Sequence, residues 1–124
     1  MLYDLNKQQI DHLPHQREFD DWRRRLPDAD YSAIVDELYR HFDLVYDRQQ
    51  DRVFNASFLP GSDWTGTVFQ PIYHATGNLK EHAALFFGQI VWEAIRSHHG
   101  DWLFLRQERN DDRPIGLTYF VWEH

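Results

Sequence analysis

The sequence predicts an α+β fold, and three observations carry that expectation. Apolar residues recur at helical spacing through much of residues 1–45 and again from about Leu79 to His98. Elsewhere the period changes toward the extended runs "RVFNASFL", "DWLFLRQE" and "IGLTYFVW". Clusters of turn formers, "PGSD", "ATGN" and "RNDDRP", punctuate the chain.

Taken in order, Asn6 can cap a short helix through Ile10 and Leu13, which Pro14 interrupts. Pro14 suits the first position of a second helix to about Leu26, with Phe19, Trp22 and Leu26 as its apolar stripe. Pro27 ends that helix. Asp28 or Asp30 then caps a third, where Ile34, Leu38 and Phe42 recur at four-residue steps. "DRQQDR" is expected to be a loop. "RVFNASFL" and "SDWTGTVFQPIYHA" are expected to pair as a first hairpin, with Pro71 at an edge or strand end.

The long helix that follows should bury Ala84, Phe87, Val91 and Ile95, with Leu85, Phe86, Ile90 and Trp92 widening the face. His82, Gln89, Glu93 and Arg96 form its polar stripe, and Gly88 suggests close packing against another element. A second hairpin closes the chain. One antiparallel sheet with helices on one face is the arrangement this order favours, within a single domain spanning 1–124.

Composition narrows the function classes. A chain of 124 residues can bury roughly two-thirds of its unfolded surface and needs no staple. It has no cysteine, which rules out disulfides and cysteine zinc sites and agrees with a cytoplasmic setting. Its start lacks the pattern of a secretory signal. No apolar stretch approaches the roughly 20 residues that cross a bilayer, so no membrane association is expected. With 20 acidic and 13 basic residues the net charge is −7, which disfavours nucleic acid. The basic run Arg23–Arg25 follows Asp20 and Asp21 and is expected to be a neutralised helix face. Five Trp, six Tyr and nine Phe are more than a core of this size needs, and raise the expectation of a protein partner or a homodimer.

Catalytic signatures are missing. There is no GxSxG turn, no phosphate loop, no GxGxxG turn and no HExxH spacing. Histidines number eight, but Pro14 separates His12 from His15, and adjacent His98 and His99 would diverge by about 100° on a helix. They could share an ion only by leaving it. Glu37 and His41 share a helix face and read as a solvated pair. No catalytic residue, metal ligand or cofactor is therefore assigned.

The expected function is a small non-catalytic protein-interaction or regulatory module. The alternative is a small-molecule-binding protein or enzyme with a pocket beside the second strand and the long helix. Under either reading the binding residues would be Trp64, Gln70, Tyr73, His74 and Glu93, which combine rings with hydrogen-bonding and titratable groups.

Overall fold

The computed structural model describes residues 1–48, 53–55, 64, 66–106 and 117–122. It contains β1 (Leu2–Tyr3), α1 (Gln16–Arg25), α2 (Asp28–Arg48), β2 (Val53–Asn55), α3 (Gln70–Ala75), α4 (Lys80–Ser97), β3 (Trp102–Arg106) and β4 (Leu117–Val121). The strands form one sheet in the order β1-β3-β4-β2. The α+β class and the closing hairpin of β3 and β4 agree with the sequence expectation.

Alternation along the hairpin explains how the layers join. Trp102 and Phe104 lie on one face of β3, where Tyr119 and Val121 of β4 stand opposite them. Trp102 packs on Phe42 of α2 with ring centroids 5.9 Å apart, and Phe104 packs on Trp92 of α4 at 4.9 Å. Helices α2 and α4 therefore cover the same sheet face. The expected four-residue step of α2 is seen directly, for Ile34, Leu38 and Phe42 are all fully buried.

Five local expectations outside α4 are corrected. The sheet is mixed, because β1 runs parallel to β3 in the register Leu2 to Trp102. No helix forms at Asn6–Leu13. Asp4 accepts the Gln8 amide at 3.0 Å, Lys7 takes a left-handed φ of 65°, and Ile10 donates back to the Leu2 carbonyl. Pro14 lies in the following turn, and His15 at φ 58° delays the start of α1 to Gln16. Helix α2 runs on through "DR" of the expected loop, whose remaining residues lie outside those described.

The fifth correction concerns "SDWTGTVFQPIYHA". Its described part is a turn and the short helix α3, so no hairpin forms among the described residues of the two runs, and β2 pairs with β4. Thr67 Oγ1 donates to the Trp64 carbonyl at 2.7 Å and accepts the Phe69 amide at 3.2 Å. Gln70 Oε1 accepts the Gly66 amide at 3.1 Å. Thr67 and Gln70 thus brace the turn that leads into α3, and Pro71 sits in the first turn of the helix, where a missing N–H costs nothing. The remainder of "RVFNASFL" beyond Asn55 lies outside the described residues.

Helix α4 buries the expected face at Phe86, Phe87, Ile90, Val91, Trp92 and Ile95, and departs from it at three positions. Ala84 and Leu85 are exposed, whereas Gln89 is buried and donates its Nε2 hydrogens to the carbonyls of Pro14 and His15, both at 3.0 Å. The loop before α1 supplies polar partners that a periodicity argument has no means to foresee. A Cβ added at Gly88 would meet no atom within 4 Å, so close packing is not the reason for that glycine.

Candidate functional site

The residues expected to bind are placed in three different settings. Trp64 is buried against Tyr73, Phe87 and Phe69, with ring centroids at 4.9, 5.2 and 6.3 Å. Gln70 is engaged in the turn before α3. His74 is exposed, while Glu93 is half-buried and ion-paired with Arg96 at 2.7 Å. Glu93 lies six residues beyond Phe87 on α4, about 9 Å along its axis. Trp64, Gln70 and Tyr73 therefore gather around α3, and Glu93 belongs to another part of the surface.

A different cluster forms where α4 ends. Ser97 is its last residue, and His98 adopts an extended conformation with φ −65° and ψ 147°. The adjacent histidines do leave the helix, and their rings come to 4.1 Å between centroids. The His98 ring is buried among Phe42, Tyr46 and Trp102, at 5.8, 5.7 and 5.6 Å. The Met1 nitrogen donates to the His98 and Gly100 carbonyls at 3.0 and 2.8 Å, tying the start of the chain to this junction.

Hydrogen bonds define the state of His98. Its Nδ1 lies 3.1 Å from both the Gly100 amide nitrogen and Trp102 Nε1, two groups that only donate. Nδ1 must therefore be the acceptor, which assigns the hydrogen to Nε2. Nε2 donates it to Asp43 Oδ1 at 2.8 Å. Burial is the largest influence on this imidazole and pushes its pKa below the ordinary 6.5, against the opposing pull of the Asp43 hydrogen bond. Asp43 itself is half-exposed at 49% of its side chain, at the mouth of the junction.

Tyr39, Asp43, Ser97, His98 and His99 line an open cleft of about 240 Å³. Asp43, His98 and His99 each offer one ligand atom, all within 4.8 Å of one another. The bonding pattern is the reverse of a metal site's. A ligating histidine ordinarily donates its second ring N–H outward, whereas His98 receives two hydrogens at Nδ1 and has no lone pair free at Nε2. The same pattern removes His98 as a general base, since neither nitrogen can take a substrate proton without breaking the junction.

Close packing at Gly100 is part of this arrangement. A Cβ placed there would overlap the Tyr46 ring and reach its Cζ at 2.7 Å. Gly100→Ala is expected to cost about 1–3 kcal/mol of stability through forced displacement of Tyr46. Urea denaturation measures this directly, and an unchanged midpoint would mean that the ring moves aside freely.

Sequence reasoning did not single out Asp43 and could not join it to His98, because 55 positions separate them. The adjacent histidines at a helix end were the one visible signal. The expected Glu37–His41 pair is made, and the acidic and basic residues around Arg23–Arg25 pair locally. Arg24 pairs with Asp21, Arg23 reaches Asp28 at 2.9 Å and lies 4.0 Å over the Tyr31 ring, and Glu37 contacts both Arg40 and His41. No helix among the described residues is long and apolar enough to cross a membrane. No known family, curated protein or solved structure matches the chain.

Proposed function

We propose that this chain is a non-catalytic binding module whose ligand-facing group is the Asp43 carboxylate. The direction of the hydrogen bonds around His98 supports the reading. In an acid–base dyad a buried carboxylate orients a histidine, and the outer ring nitrogen faces the substrate. Here the order is inverted: Trp102 and Gly100 orient a buried histidine, and the histidine orients an exposed carboxylate. A carboxylate held in this way is pre-organised for recognition, with part of its ordering entropy already spent on folding.

The reading covers a protein partner and a small molecule alike, in a reducing cytoplasmic setting that a chain without cysteine tolerates. Native mass spectrometry of protein purified without a metal-affinity tag is the test. A retained species on the parent chain, lost from a folded Asp43→Asn variant, is the expected result. Equal retention by both proteins would move binding away from this cleft.

A further inference from the structure

We propose that the Asp43 cleft recognises a primary ammonium group, as carried by a small alkylamine. This inference rests on the binding reading above and adds the chemistry of the ligand. It follows from where the hydrogens of the cleft are spent.

Ser97 Oγ lies 3.1 and 3.0 Å from the Glu93 and Ala94 carbonyls, so its only hydrogen points back into α4. Tyr39 Oη lies 2.6 Å from Ser97 Oγ and must then be the donor of that pair. His98 gives its only hydrogen to Asp43. Three of the five lining side chains have thus turned their donors inward. What they leave toward the cleft is acceptor capacity: the second Asp43 oxygen and the lone pairs of Tyr39. His99, exposed and without a hydrogen bond among the described residues, can add a ring nitrogen.

An ammonium group is the complementary inventory, with three donors, no acceptor and one positive charge opposite the carboxylate. Tyr39 adds an aromatic ring to the lining, the kind of group that cation recognition uses. An anion would meet the Asp43 charge and find no donor except His99. A transition metal would find two ligands, Asp43 and His99, fewer than the three or four protein ligands of ordinary zinc sites.

The test uses ¹⁵N-labelled full chain and the Trp102 indole N–H resonance, which is bonded to the opposite side of His98 from Asp43. Butylammonium chloride and zinc chloride are titrated separately, against potassium chloride at matched ionic strength. A saturable shift with butylammonium is expected. Asp43→Asn keeps an acceptor for His98 but loses the charge, and should weaken that response about ten- to a hundred-fold. His98→Asn keeps an acceptor for Gly100 and Trp102 but cannot reach Asp43. Weaker binding in this folded variant would mark His98 as a positioning residue.

A response to butylammonium that is equal in parent and Asp43→Asn overturns the proposal. So does a shift no larger than that from potassium chloride. Saturation by zinc alone, dependent on Asp43, also overturns the ammonium assignment while leaving the binding reading intact. Loss of the binding reading itself is recognised separately, by retained mass that does not depend on Asp43.

Discussion

Trp102→Ala is expected to remove about 3–5 kcal/mol of folding stability, a large part of the roughly 5–15 kcal/mol that domains possess. Trp102 is fully buried and joins three parts of the molecule. Its ring lies 5.9 Å from Phe42, 5.9 Å from Tyr46 and 5.6 Å from His98, and its backbone pairs with Leu2 and Val121. Alanine would leave a cavity between α2 and the sheet and withdraw one of the two donors that fix the His98 tautomer. Urea unfolding followed by circular dichroism gives the number. A loss below about 1 kcal/mol would show that α2 and the sheet hold together without this side chain.

The second large effect is expected at His98. His98→Leu leaves the Gly100 amide and the Trp102 indole N–H without their acceptor inside the fold, at a cost of about 2–5 kcal/mol for the two donors together. His98→Asn restores an acceptor near Nδ1 and should recover part of that loss. If leucine and asparagine prove equally stable, packing rather than hydrogen bonding is what His98 contributes.

The parent protein also carries a pH signature at this residue. Desolvation lowers the folded pKa of His98 from its ordinary 6.5, so below that value the unfolded chain binds a proton that the folded chain resists. The contribution is fully present above pH 6.5 and is lost as pH falls toward the folded pKa. His98→Asn should flatten the stability profile in that window. Glu37 acts in a separate range: the Arg40 hydrogen bond holds its carboxyl below the ordinary 4.5, and its small contribution fades only at lower pH. An unaltered slope in His98→Asn between about pH 7 and 5 would assign the transition to another group.

Much of the helical architecture was legible in the sequence. The spacing of Ile34, Leu38 and Phe42 identified the buried side of α2, and Phe87, Val91 and Ile95 marked part of the covered side of α4. The misread stretch after Trp64 contained its own correction. Thr67 and Gln70 hold the turn just before Pro71 by side-chain bonds to the backbone, but Thr, Val and Phe also favour strands, and that propensity is a weak guide against local turn bonds. At Gln89 the polar residue is buried because the Pro14–His15 turn brings two carbonyls to it from 75 and 74 positions away.

By itself the sequence determined the α+β class, the helices α2 and α4, the closing hairpin and the lack of disulfides, because these depend on local periodicity and residue type. Tertiary structure decided the parallel addition of β1, the burial of Gln89 on α4 and the meeting of Asp43 with His98 and Trp102. The physical reason is range. A helical period is written in neighbouring residues, whereas the role of His98 depends on donors from Gly100 and Trp102 and on an acceptor 55 residues earlier in α2.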